Sequence, residues 1–251
     1  GRPIGNASDG GPGQTPLNSK YTKRASDDHW GRIEHPGVKS MCAMFQEYYD
    51  REKLADPSLQ WSDLTLWKMD LKGAYTLISF DPAGVPYVCL ELDDDLLMFF
   101  FSGIFGWTGT PAAFQVVTRA LVYELRRRID GMLDMYVDDL MGICRVARLQ
   151  AELAVVRSYI LALLGPDAVA DDKTEFGQCL TFIGYDFDLL RQRVFVSRKC
   201  LLRALYAFYD CDPEGSFTVK KLQQLASLAC RYSGICRAML PFVRALYAAY
   251  I

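Results

Sequence analysis

Residues 132–144 read MLDMYVDDLMGIC, two apolar runs on either side of an acidic pair. The runs 132–137 and 140–144 are each of strand length, so Asp138-Asp139 reads as the turn of a hairpin. Upstream, residues 64–69, LTLWKM, suit another strand, and Asp70 stands at its end. A carboxylate at a strand end can face one in the turn of a neighbouring hairpin. Like charges brought that close repel strongly unless a cation sits between them. Hard oxygen ligands suit Mg²⁺, which takes few carboxylates and completes its shell with substrate phosphates. Two such ions about 3.5–4 Å apart activate an attacking hydroxyl and stabilise a leaving phosphate oxygen. Asp70, Asp138 and Asp139 are therefore candidates for nucleotidyl transfer. Taken alone, an acidic pair in a hairpin is ordinary turn chemistry, so its surroundings decide. No Ser-His-Asp set competes, because neither His29 nor His35 has a plausible nucleophile beside it.

Working outward, residues 38–54 carry apolar side chains at 41, 44, 45 and 48, a helical period closed by Asp56-Pro57. Residues 85–92 and 96–101 are β-rich, with Asp93-Asp94-Asp95 as an acidic turn between them. Thr110-Pro111 opens a helix, Thr as N-cap and Pro in the first turn. That helix should run to about Arg128. Residues 147–164 form another, stopped by Gly165-Pro166. Residues 180–187 and 192–196 pair as a second hairpin, and Ser197 and Thr218 cap helices over 198–209 and 219–231, with a third over 238–250. Residues 1–20, rich in Gly, Pro and Asn, read as loop with one short strand; they lack the Gly-Lys-Ser/Thr ending of a phosphate-binding P-loop. This order predicts an α+β fold with an antiparallel sheet.

Composition bounds the reading. The chain has 251 residues, 51% apolar and 23% charged, which suits one large domain or two or three coupled subdomains and excludes disorder. The greasiest stretch, 96–107, is too short to span a bilayer, so no membrane partner is expected. The chain begins at Gly1 without a Met or a signal peptide, and is expected to be a piece of a longer polypeptide. Eight cysteines include no Cys-x-x-Cys pair, which points to reduced thiols in a cytoplasmic or nuclear protein. The net charge of −2 is unevenly spread: residues 191–251 carry +7 and the first 190 carry −9. An acidic body can gather cations, and a basic tail can follow a phosphate backbone.

Tyr136-Val137-Asp138-Asp139 between apolar runs resembles the Tyr-x-Asp-Asp box of reverse transcriptases. The resemblance runs through the chain in order. Lys68-Met69-Asp70-Leu71-Lys72-Gly73-Ala74-Tyr75 looks like their first catalytic box. Phe105-Gly106-Trp107-Thr108-Gly109-Thr110-Pro111-Ala112-Ala113-Phe114-Gln115 looks like their Gly-rich box leading into a helix. Asp172-Lys173-Thr174-Glu175-Phe176 resembles the following Lys-containing box, and Phe182-Ile183-Gly184-Tyr185 the primer-grip hairpin. Arg2-Pro3-Ile4, with Leu17-Asn18 downstream, resembles a fingers segment. Five boxes in one order are far more specific than any one. Phe105 stands where retroviral enzymes carry Gln, Thr110 replaces Ser or Ala with little consequence expected, and the stretch 18–70 is longer than in those enzymes. The Asp-Leu-Lys-x-Ala-Tyr form, the Phe-Gly box and the basic helical tail look most like DIRS-like, tyrosine-recombinase retroelements.

The resemblance implies a right-hand polymerase: fingers at 1–66 with a family-variable insert and a missing start, an RRM-like antiparallel palm at 67–188 with a fingers insertion at 85–104, and a helical thumb at 189–251. It implies an RNA-directed DNA polymerase acting on an RNA or DNA template with primer, with dNTPs as substrates and two Mg²⁺ (or Mn²⁺) ions as cofactors. Asp70, Asp138 and Asp139 would be catalytic and, with the carbonyl of Leu71, hold the metal. Arg2, Lys72, Gly73, Tyr75, Phe105 and Lys173 would bind dNTP, Tyr75 excluding a 2′-hydroxyl and Lys173 donating a proton to pyrophosphate. Gly106, Pro111, Tyr136, Phe182 and Gly184 would contact template or primer. RNase H or recombinase domains are expected after residue 251. The rival is a catalytically inactive or domesticated nucleic-acid-binding module; an RNA-dependent RNA polymerase would carry Gly-Asp-Asp in the turn and a second Asp in place of Tyr75.

Overall fold

A computed structural model of the chain describes residues 16–93, 96–211 and 215–249. They form α1 (Lys20–Trp30), α2 (Val38–Ala55), β1 (Leu64–Asp70), β2 (Cys89–Asp93), β3 (Leu96–Phe99), α3 (Gly109–Arg126), β4 (Met132–Tyr136), β5 (Asp139–Arg145), α4 (Leu149–Leu164), β6 (Glu175–Gly177), β7 (Cys179–Phe182), β8 (Tyr185–Asp188), β9 (Arg193–Val196), α5 (Arg198–Tyr209), α6 (Val219–Ser233) and α7 (Leu240–Ala248). Helix and sheet are mixed, as the sequence predicts. One sheet has the order β4-β5-β1-β6, β2 and β3 form a two-stranded sheet, and β7-β8-β9 form a third. The β1–β6 pairing is antiparallel, with Trp67 opposite Phe176. Among the described residues, no helix is long and apolar enough to cross a membrane.

The chain divides into two compact units. In the first (described residues 16–35, Met69–Leu140 and Gln150–Thr174), α3 buries Phe114, Thr118, Leu121 and Leu125, one stripe at helical spacing. Arg126 closes the helix onto the next strand: its Nε donates to the Leu133 carbonyl at 2.7 Å and its Nη2 to Asp134 at 3.2 Å. The buried Glu152 of α4 accepts from the Gly131 N–H at 2.9 Å, fixing the entry to β4.

In the second unit (the described residues of Pro36–Lys68, Met141–Leu149 and 175–249), α2 buries Met41, Met44, Phe45 and Tyr48, the period read from the sequence. Arg145 at the end of β5 donates to Glu52 at 2.6 Å and Asp56 at 3.1 Å, and its backbone N–H donates to the Tyr48 hydroxyl at 3.1 Å. The basic tail folds as α5, α6 and α7, and the Thr218 side chain caps α6 by accepting from the Lys221 N–H.

Three expectations are corrected. Residues 180–187 are not one strand. They are β7 and β8 joined at Ile183 and Gly184, with φ of 46° and 85°. Two successive left-handed residues make the tight turn whose twist matches a hairpin, and a third strand, β9, continues the meander. Thr110 is not the N-cap of α3. The helix starts at Gly109 with Thr108 in the cap position, and Thr110 is buried within the first turn. Finally, the sequence reading gives no helix over 20–30, where α1 forms: none of its residues is buried, and it starts on its Ser19 cap, whose hydroxyl accepts from the Thr22 N–H at 3.2 Å.

Candidate functional site

The acidic residues of the two predicted strand ends meet within the first unit. Asp70 is the last residue of β1, Asp138 lies in the turn after β4, and Asp139 opens β5. One carboxylate oxygen from each lies within 4.8 Å of the others. Backbone bonds lock this meeting. The Leu71 N–H donates to the Asp138 carbonyl at 2.9 Å, the Lys72 N–H to Ala168 at 2.8 Å, and the Ala170 N–H to the Asp70 carbonyl at 2.9 Å. The first box is thus sewn to the hairpin tip on one side and to residues 168–170 on the other. Val137, between Tyr136 and Asp138, has φ of 55°. That is strained for a β-branched residue, and it is what turns the chain in two residues.

Lys173, in a short turn at 171–173, comes back to this cluster and donates to Asp70 Oδ2 at 2.5 Å. Its ammonium is held above the usual lysine range by that hydrogen bond, then by the charges of Asp70, Asp138 and Asp172. A cation is therefore already drawn to the carboxylates. Three oxygen donors at this spacing fit a hard divalent ion.

Beside the acids stands an aromatic group. Tyr75 follows the left-handed Gly73 (φ 67°) in a short 3₁₀ turn, Ala74–Leu77. Its half-buried ring lies 4.9 Å from Phe105 and 5.7 Å, edge to face, from Phe114. Burial, then the charges of Asp138 and Tyr136, push its hydroxyl above the ordinary tyrosine range. Lys72 is exposed. Gly106 and Pro111 lie in the loop and first turn leading into α3, and the Gly106 carbonyl accepts from Asn18 Nδ2 at 2.6 Å. Asn18 Oδ1 in turn accepts from the Thr108 N–H at 2.9 Å. Tyr136 is exposed at 37%, with its ring 4.6 Å from that of His35.

Most of the expected residues are thus brought together in this one unit. Phe182 and Gly184 belong to the second unit: Phe182 is buried in its core, and Gly184 forms the β7–β8 turn against Arg231, which donates to the Ile183 carbonyl at 3.2 Å. Arg2 lies outside the described residues. Sequence reasoning missed the Asn18 amide tie. It also missed Gln115, which accepts from the Glu34 N–H at 2.6 Å and donates to the Arg32 carbonyl at 3.2 Å, holding His35 near Tyr136. Both are side-chain amides imitating a peptide across about 80 to 90 residues, and no local pattern announces them.

Among solved structures, the chain is similar to a foamy viral protease-reverse transcriptase in complex with double-stranded DNA: TM-score 0.56, 14% identity, 73% of this chain and 30% of that one covered. A foamy viral protease-reverse transcriptase in complex with RNA/DNA hybrid matches with TM-score 0.51 and 14% identity over 72% of this chain and 24% of that one. The fold is reverse-transcriptase-like. The chain spans under a third of the length of these neighbours. No family model and no curated protein matches the sequence. Within the reverse-transcriptase-like fold, the acidic cluster sits on three residues that the sequence alone singles out.

Proposed function

We propose that the chain is an RNA-directed DNA polymerase that adds dNTPs to a primer 3′-hydroxyl on an RNA or DNA template, in the replication of a DIRS-like retroelement. One observation carries the reading: three carboxylates from two separate boxes converge within 4.8 Å in a reverse-transcriptase-like fold. In this reading residues 67–188 act as palm, 1–66 and 85–104 as fingers, and 189–251 as thumb. Asp70, Asp138 and Asp139, with the Leu71 carbonyl, would hold Mg²⁺ or Mn²⁺, which would supply Lewis-acid activation of the attacking hydroxyl and charge stabilisation of the leaving pyrophosphate.

The chain's own groups do the rest. Lys72 and Arg2 hold the triphosphate, the guanidinium in forked contact with phosphate oxygens. Tyr75, wedged by Phe105 and Phe114, lies under the sugar and excludes a 2′-hydroxyl. Lys173, hydrogen-bonded to Asp70 beside the cluster, gives a proton to the leaving pyrophosphate in this reading. Gly106, Pro111 and Tyr136, with Phe182 and Gly184, guide template and primer. The basic helices α5 to α7 follow the backbone through sequence-independent, salt-dependent contacts. The eight free cysteines accord with a reducing, cytoplasmic or nuclear location.

A second reading rests on one observation. Lys173 can neutralise Asp70 without metal, so a non-catalytic nucleic-acid-binding module could keep this cluster. Primer extension on an RNA template with dNTPs and Mg²⁺ or Mn²⁺, beside Asp138→Asn, separates the two. Metal-dependent extension lost in the variant supports the polymerase. Primer–template binding without extension supports the module.

A further inference from the structure

We propose that Gly103 and Thr110 form the wall that sets the position of Tyr75, making Gly103 a positioning residue for sugar selection; the inference rests on the polymerase reading of Tyr75. Residues 101–103 run beside 78–80. Phe80 N–H donates to the Phe101 carbonyl at 2.9 Å, Gly103 N–H donates to the Ile78 carbonyl at 2.8 Å, and Ser79 and Ser102 form an antiparallel bridge. This rail lays the buried Gly103 against the main chain of Tyr75. A Cβ built at 103 would stand 2.5 Å from the Tyr75 carbonyl oxygen, 3.3 Å from its carbon and 2.7 Å from Thr110 Cγ2.

The backbone at 103 does not itself demand glycine, because Gly103 is not among the residues with positive φ. The close approach alone demands it. The Tyr75 carbonyl also accepts from the Ile78 N–H at 3.2 Å, closing the 3₁₀ turn that aims the ring. The Thr110 methyl is the other close neighbour of that position, so a side chain at 103 is confined between it and the Tyr75 main chain. Among the described residues the buried Thr110 hydroxyl has no hydrogen-bond partner, so the residue fits by shape. The ring of Tyr75 itself meets Phe105 and Phe114. A side chain at 103 therefore acts on the ring through the backbone, with no rotamer to absorb the change. Reaching ordinary contact requires a shift of about 1 Å, and misplacement by about 1 Å near a reacting centre can cost about a hundredfold.

The test is single-nucleotide incorporation by the whole chain, comparing kcat/KM for dNTP and rNTP in the wild type, Tyr75→Ala, Gly103→Ala and Gly103→Ala/Thr110→Ser. The expected result is a fall in dNTP preference of at least about fivefold for Gly103→Ala, mostly through KM for dNTP. The double variant recovers part of it, because losing Cγ2 gives the new methyl room away from Tyr75. A general loss of structure would not be relieved by removing a further methyl. If Tyr75→Ala loses discrimination and Gly103→Ala keeps it, the wall is refuted while the gate stands. If neither changes the ratio, the gate reading falls and the wall with it. Should Gly103→Ala not fold, Thr110→Ser alone carries the test: opening the wall from that side lowers the ratio, and an unchanged ratio overturns the proposal.

Discussion

Replacing Asp138 by Asn keeps the side chain's shape and removes one charge from the cluster at the β4–β5 turn. The backbone bond from the Leu71 N–H to the carbonyl of residue 138 is untouched by the change. Carboxylate oxygens within 4.8 Å repel by about 3.5 kcal/mol at an effective dielectric of about 20, and by about 0.9 kcal/mol in bulk water. Asp70 and Asp138 are half-buried and Lys173 offsets part of the charge, so relief of about 1 kcal/mol is expected. In a chain of this size that raises the melting temperature by about 2–4 °C. The wild type behaves oppositely toward metal: at ten times its Kd, Mg²⁺ or Mn²⁺ stabilises the fold by about 1.4 kcal/mol. The assay is thermal melting with chelator and across a metal titration. The variant should melt higher than the wild type in chelator and gain little from metal. A variant that melts lower in chelator would mean that Asp138 is a structural group and not a repelled one. Equal gains from metal would place the ion elsewhere.

Tyr75→Ala should raise ribonucleotide incorporation, read as the ratio of rNTP to dNTP efficiency; an unchanged ratio rules out the gate. Gly184→Ala should lose about 1–3 kcal/mol of stability, because residue 184 has φ of 85° and a Cβ there would collide with Arg231 Nη1. Thermal melts check this, and Arg231→Ala in the same background should restore part of the loss. His35 is held below its ordinary value of 6.5 by burial and then by Arg119. The folded state therefore resists the proton that the unfolded chain accepts. The stabilisation is present above about pH 6.5 and lost as pH falls through the folded value. His35→Gln should flatten the fall in melting temperature between about pH 7.5 and pH 5.5, and an identical slope in the variant would assign that fall to other groups.

What the sequence made legible was periodic or punctuated. The stripe at 41, 44, 45 and 48 and the Thr218 cap fold as read, and the hairpin at the acidic pair forms with its turn one residue earlier, at Val137 and Asp138, so that Asp139 opens β5. What it hid was of two kinds. Some local signals compete: 180–187 looks like one strand because Phe182, Tyr185 and Phe187 are all core residues, and the turn shows only in Gly184. Helix α1 had its signal in Ser19, but KYTKRASDDHW has no apolar face to make that signal count. Other features are set by distant partners. Thr110 looks like a cap in isolation, yet Asn18 already holds the Thr108 N–H, and Thr110 turns inward to Gly103. The three acids could be named from the sequence, whereas the Lys173–Asp70 contact and the backing of Tyr75 needed the fold.

The hairpin that carries the acids allows only Val137 and Asp138 between β4 and β5. Side chains alternate faces along a strand, so one residue added before Asp139 would turn its carboxylate to the opposite side of the sheet. Substitutions within 132–145 can be graded in their effect; insertions and deletions cannot. Descent at this locus is then the inheritance of a spacing, and distant kin of this chain should be sought by counting residues between strand ends before comparing their letters.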